Sequence, residues 1–257
     1  MKKVKYLVYL FIILIFISCN YENLPVPDLK PTNKPSFINP YSWVGEGHNW
    51  IMDKFDSKEV DFSLQNSFEL TKQFMISKGM EYEDLDNRRV IEKTDDLLKL
   101  CFPGFPDSVD NSKREMSLEE IVYHLYIERL IGDNSKESIL EMARIIDSYS
   151  DAREKLADYC ESLKQSVDDT TRTIIFALES IYSSSYEWWD NKSFGKINKV
   201  TVPILVKADV AGGVVAGGIY AGQCLLDPNC RFSWSGLAGG AIAGAAGASF
   251  FKKIGWW

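Results

Sequence analysis

Ten of the chain's 17 glycines fall between Gly212 and Gly247, and their spacing restricts this stretch more than any other feature of the sequence. Gly236, Gly240 and Gly244, continued by Ala248, stand four residues apart; Gly213/Gly217 and Gly218/Gly222 repeat that step in an earlier half. Four apart is one face of an α-helix. Glycine inside a helix costs about 1 kcal/mol relative to alanine in water, so a helix carrying such a row needs a setting that rewards close backbone approach. Lipid is one such setting, because helices there associate through small residues. A buried hairpin inside a soluble domain or a homo-oligomer is the other.

Two halves are visible, 210–226 and 232–251, separated by the turn-prone Asp227-Pro228-Asn229. At 1.5 Å per residue the first half is roughly 25 Å long, near the lower limit for crossing a bilayer. Lys207 and Asp209 precede it, Arg231 and Trp234 mark the turn, and Lys252, Lys253, Trp256 and Trp257 follow the second half. Cationic and aromatic flanks suit a membrane interface, whereas Gly and Ala themselves gain little from lipid. The expectation is a glycine-zipper hairpin over 200–257, membrane-associated or oligomerising, with Gly213, Gly217, Gly218, Gly222, Gly236, Gly240 and Gly244 as its helix-packing positions.

At the other end, Lys2, Lys3 and Lys5 precede an apolar run over 6–17 that closes on Ser18-Cys19. A charged start, an apolar stretch too short for a permanent span and a small residue before cysteine make a cleavable signal. The segment resembles a bacterial lipoprotein signal peptide, which implies a lipidated Cys19 as the first mature residue and an outer-membrane location in a Gram-negative envelope. Phe16-Ile17-Ser18-Cys19 lacks the common Leu three before the cysteine and suits the looser boxes of Bacteroidota. Residues 19–40 carry five prolines and little apolar material, and read as an extended tether.

Losing Lys2, Lys3 and Lys5 leaves 26 basic against 36 acidic side chains, so the mature chain is more acidic than the −7 of the full sequence. Nucleic-acid binding needs clustered Lys and Arg, which are absent, so membrane lipid and a second copy of the chain are the expected partners. Cys101, Cys160, Cys224 and Cys230 remain after lipidation of Cys19. Cys224 and Cys230 flank the hairpin turn, either bridged or as free thiols, and no C-x-x-C offers a zinc or redox site.

Between tether and hairpin the apolar residues recur every three or four positions. Residues 41–199 are therefore expected to form a helical domain, making the fold all-α: a helical bundle followed by a glycine-rich helical hairpin. His48, Ile51 or Met52, and Phe55 share one face; Leu64, Phe68 and Met75 step along a second helix stopped at Lys78-Gly79. Leu85, Ile91, Leu97, Leu98 and Cys101 suggest a third, ended by Pro103-Gly104. Ser117 is expected to cap a helix over 118–131 closed by Gly132. Asn134 with Glu137 predicts a capping box for one long helix through Val167, and Asp168 or Asp169 opens the next, with Ile174, Leu178, Ile181, Ser185 and Trp188 inward. The 200–206 stretch reads as a short strand or a linker.

The Asn39-Pro40-Tyr41…His48-Asn49 entry, the run from Ser180 to Trp189 and the Lys207-Ala208-Asp209-Val210-Ala211-Gly212-Gly213 opening together resemble a group of Bacteroidota lipoproteins with no assigned activity. Separately, residues 208–250 resemble the glycine-zipper two-transmembrane module of outer-membrane lipoproteins such as the rickettsial 17-kDa surface antigen, which implies a part in envelope integrity.

Chemistry has few places to reside. The chain has two histidines. His48 stands near Glu46, Asn49 and Asp53, a set that fits a metal or general base, but its helix face with Met52 and Phe55 fits a hydrogen-bonded core histidine. His124 forms an i±4 ladder with Glu120 and Glu128 on a face expected to be solvated. No nucleophile elbow, phosphate loop or H-E-x-x-H occurs. Trp188-Trp189 and Tyr182/Tyr186 suit helix packing more than ligand stacking. No catalytic residue, metal site or cofactor is expected. The functional expectation is a non-catalytic, lipid-anchored envelope protein acting through its hairpin, beside two alternatives: a bacteriocin-like pore-forming toxin, and a helical binding module with the hairpin as core.

Overall fold

The structure is a computed structural model that describes residues 37–80, 82, 88–102, 115–148, 150–191, 202–226 and 232–254. Cys19, the signal peptide, the tether up to Ser36, Leu85, Pro103-Gly104, Asp227-Pro228-Asn229, Cys230, Arg231 and the terminal tryptophans lie outside them. The fold is all-α, as the periodicity predicts, and the helices belong to one unit, Phe37–Trp257.

The chain runs α1 (Ser42–Asp56), α2 (Leu64–Ser77), α3 (Arg88–Cys101), α4 (Leu118–Ile127), α5 (Asp133–Ser148), α6 (Ala152–Leu163), α7 (Asp169–Asn191), α8 (Val202–Leu226) and α9 (Trp234–Ile254). The glycine-rich α8 and α9 form an antiparallel pair at the centre. Helices α3, α4 and α7 lie against α8, while α1, α2 and α7 lie against α9. The surrounding helices are amphipathic and turn their apolar stripes inward. In α1, for example, Val44, His48, Ile51, Met52 and Phe55 are buried in helical register.

Helix ends follow local chemistry. Ser63 caps α2 by accepting from Asn66 N, and Gly79 leaves it with φ +69°, a left-handed value suited to glycine. Ser117 caps α4 in a full capping box with Glu120. Asp168 caps α7, its carboxylate accepting from Thr171 N at 2.9 Å, and these contacts, with Asn134, hold its carboxyl below the usual range against the opposing effect of burial.

Three boundaries differ from expectation. Helix α4 ends at Ile127, four residues early, because Arg129 turns left-handed (φ 58°) and sends the Leu130 N–H back to Leu125 O and its own to Tyr126 O. This is a Schellman stop, usually built on glycine but here formed ahead of Gly132. The long helix expected through Val167 is two, α5 and α6, which break after Ser148 and fold back on each other. Asn134 lies inside the first turn of α5 and donates to Asp168, so it does not serve as the expected cap. Finally, 202–206 is helix. Pro203 sits in the first turn of α8, where its missing N–H costs nothing.

Candidate functional site: a glycine contact and a buried polar cluster

Two features of α8 and α9 stand out, one without side chains and one made of polar ones. In the first, Gly212, Ala216 and Tyr220 of α8 face Gly244, Gly240 and Gly236 of α9. A Cβ on Gly212 would collide with the Gly244 carbonyl, one on Gly244 with the Gly212 carbonyl, and one on Gly240 would lie 3.2 Å from Ala216 O. Gly236 leaves room for the Tyr220 ring, which is wholly buried. The predicted α9 row is thus a packing row. Its closest partners are 212/216/220, with the expected Gly213 and Gly217 beside them against Ala241 and Leu237 of α9, while Gly218 and Gly222 face away from α9.

Several of the remaining glycines admit side chains from outside the hairpin. Gly213 faces Leu178 and Ile181 of α7, Gly218 faces Leu125 and Ile131, and Gly222 seats Leu130. Gly217 is roomier, with Ala241 Cβ at 3.6 Å. The hint of the true row was present, since Ala208, Gly212 and Ala216 are also four apart, but the tyrosine at 220 disguised it.

The second feature joins α1, α7 and α8. Asp209, near the start of α8, is completely buried, as are His48 and Ser185, and Trp189 is 1% exposed. One carboxylate oxygen of Asp209 accepts from the Ser185 hydroxyl and from Trp189 Nε1 at 3.1 Å; the other lies 3.4 Å from His48 Nε2. His48 Nδ1 is 2.9 Å from Asn49 Oδ1. The Asn49 amide nitrogen donates to Ser184 O at 3.0 Å, which fixes the amide and turns its oxygen toward the imidazole. Both ring nitrogens therefore face oxygens: Nδ1 lies within hydrogen-bond reach of Asn49, while Nε2 and the second Asp209 oxygen meet at ion-pair distance without a hydrogen bond, a setting that favours the imidazolium.

The charge balance agrees. Burial opposes a charged imidazole, but the Asp209 carboxylate, aided by Asn49, prevails and raises the His48 pKa above its ordinary value. The same seam is closed by the Gly45 N–H donating to Ser180 Oγ at 2.9 Å and by Trp188 Nε1 donating to Asp53. Gly45 is required because a side chain would strike Ser184 and the Ser180 carbonyl.

Chemically, the carboxylate stands between the serine hydroxyl and the imidazole. In a nucleophilic triad the imidazole must face the hydroxyl itself. With Asp209, His48, Ser185 and Trp189 shielded from solvent, the cluster fastens α8 to α1 and α7. Of its members, the sequence singled out His48 and put Ser185 on the inward face of α7; it missed the pairing with Asp209, which reads as a flanking charge in a hairpin pattern.

Elsewhere, Cys101 and Cys160 are free and buried, and burial pushes the Cys101 thiol up to about 12 and Cys160 higher still, so both stay protonated at neutral pH. Cys224 is disulfide-bonded. His124 is partly exposed on α4, and Glu120 is engaged in the Ser117 cap. Trp188 and Trp189 pack edge to face at 4.6 Å and are buried. Among the described residues no cluster of three His, Cys, Asp or Glu side chains could hold a metal ion. Comparisons of the chain with protein-family models, with curated proteins and with solved structures find no match.

Proposed function

We propose that the protein is a non-catalytic module of the cell envelope, held by lipid at Cys19, whose glycine hairpin is the core of the tethered bundle. The observation that carries this reading is the burial of both hairpin helices by the chain's own helices, with the charged Asp209 inside the same interface. An ionised carboxylate with a built-in counter-ion suits a protein interior and would be costly facing lipid. The glycine row is occupied within the chain, so self-association through it would require the bundle to open. Such a module acts by presenting its outer helical surface to partners.

A second reading has the bundle open and the hairpin enter a bilayer, as an envelope anchor or a bacteriocin-like pore. It is favoured by the length and apolar character of Val202–Cys224, which is sufficient for a membrane span. Carbonate extraction of membranes bearing the native protein and a Cys19→Ser form separates the two. The core reading expects Cys19→Ser to be soluble and monomeric without detergent. Resistance of Cys19→Ser to extraction overturns it in favour of an inserted hairpin, and dye release from liposomes then distinguishes a pore from an anchor.

A further inference from the structure

The chain enters the bundle at the end where α8 stops and α9 starts. Phe37 meets the Phe176 ring edge-on at 5.0 Å, the Asn39 amide donates to Phe176 O, and the Tyr41 hydroxyl is 2.9 Å from that of Thr173. These contacts pin the entering strand to the first turns of α7. Trp234, the first residue of α9, lines a cleft with Pro40, Tyr41 and Asp169, while Ile127 and Leu130 line a neighbouring one with Thr170 and Ala221. Chain entry, the start of α9 and the end of α4 therefore share one end of the bundle.

That end exposes several large apolar side chains. Ile38 is 83% exposed, Ile127 72%, Trp234 40% and Phe232 37%, and the Phe232 and Trp234 rings are held edge to face at 4.9 Å. Its charges are mixed: Arg172 pairs with Asp169 and Lys136 with Asp133. Aromatic rings amid balanced charge match the headgroup region of a bilayer, which favours amphipathic aromatic side chains and does not demand a basic patch.

We propose that this end docks on the headgroup region of a lipid bilayer, with Ile38, Ile127, Phe232 and Trp234 as the contacting side chains. The bilayer is the occupant because of where the chain leads. Seventeen residues, 20–36, separate Cys19 from Phe37, a reach of at most about 60 Å fully extended. On the reading that Cys19 carries acyl chains, on which this proposal rests, the tether confines this end near the membrane and raises the effective concentration of lipid there. A weak apolar contact then suffices to orient the bundle, adding a second attachment to the acyl anchor.

The test uses four full-length preparations and phosphatidylethanolamine/phosphatidylglycerol vesicles. Mass analysis of the native protein reports lipidation of Cys19. Sedimentation with vesicles compares Cys19→Ser with Cys19→Ser carrying Phe232→Ser and Trp234→Ser, and separately Ile127→Ser, each checked for an unchanged urea midpoint. Docking expects binding of Cys19→Ser to weaken about tenfold or more when the two aromatics are removed, and to weaken with Ile127→Ser. Equal binding of all forms, or none by Cys19→Ser, overturns docking even where mass analysis shows the lipid. An unlipidated native protein overturns the anchoring reading and with it the argument from the tether. A Cys19→Ser dimer that ignores vesicles and is split by Trp234→Ser assigns the face to a second copy, overturning the bilayer as occupant.

Discussion

The α8–α9 contact and the α1–α7–α8 seam hold the same helix by opposite means. Along Gly212, Ala216 and Tyr220 the helix meets α9 almost backbone to backbone, and the missing side chains are what make the fit. Three residues before that row, Asp209 meets His48, Ser185 and Trp189 directly through charge and hydrogen bonds. Shape is indifferent to pH and intolerant of volume. Charge is the reverse: it tolerates little change in protonation and is costly when half of it is removed.

The largest effect should come from breaking the seam on one side. His48→Ala leaves a buried carboxylate with only Ser185 and Trp189, and loss of one partner of a buried pair costs about 3–5 kcal/mol. Asp209→Asn should destabilise comparably, and the double variant should cost much less than the sum, because the second change removes the group the first left stranded. Urea unfolding of the four forms checks this; additive losses would mean that the two side chains do not interact.

Next comes the glycine contact. Gly244→Ala drives a methyl group into the Gly212 carbonyl and Ala216 Cβ, backbone obstacles that cannot rotate away. Overpacking of this kind costs about 1–3 kcal/mol even though alanine is the better helix former. That loss should be the same at pH 6 and pH 9, which distinguishes it from loss at the seam.

The pH dependence itself is a smaller, graded effect. The folded state raises the His48 pKa, so the protonated imidazole stabilises the fold fully below its unfolded value of about 6.5. That contribution fades as pH climbs through the folded pKa. The urea midpoint of the native sequence should fall relative to His48→Ala as pH rises above about 6.5, and parallel profiles would deny the imidazolium.

How much of this comparison could be read from the chain depends on distance along it. The glycine row of α9, the caps at Ser117 and Asp168 and the inward faces of α1 and α7 are local patterns, and each appears in the structure. The seam is not local. His48 and Asp209 lie 161 positions apart, and nothing in either neighbourhood names the other. The break after Ser148 was hidden because the apolar period of α5 runs on into α6 almost in phase, so only tertiary contact reveals the fold-back. The left-handed Arg129 was hidden for a related reason: its neighbours continue the helical pattern to Ile131, and the stop depends on Leu130 reaching back to Leu125 O and filling the notch at Gly222.

Gly217→Ala sharpens the comparison with the smallest expected change. Gly217 belongs to the row the sequence suggested, yet its added methyl would stand 3.6 Å from Ala241 Cβ and 3.7 Å from Leu237 O, ordinary contact distances. Nothing need move, so the gain in helix propensity, up to about 1 kcal/mol, is left unopposed and the urea midpoint should rise. Gly244→Ala, at the tight crossing with Gly212, should lower it. If Gly217→Ala destabilises as much as Gly244→Ala, then every glycine in the hairpin sits at a close approach, as a uniform zipper would require. Opposite signs instead mean that the 212/244 crossing is selected for shape where Gly217 is not, so that close approach is a property of individual positions along the hairpin.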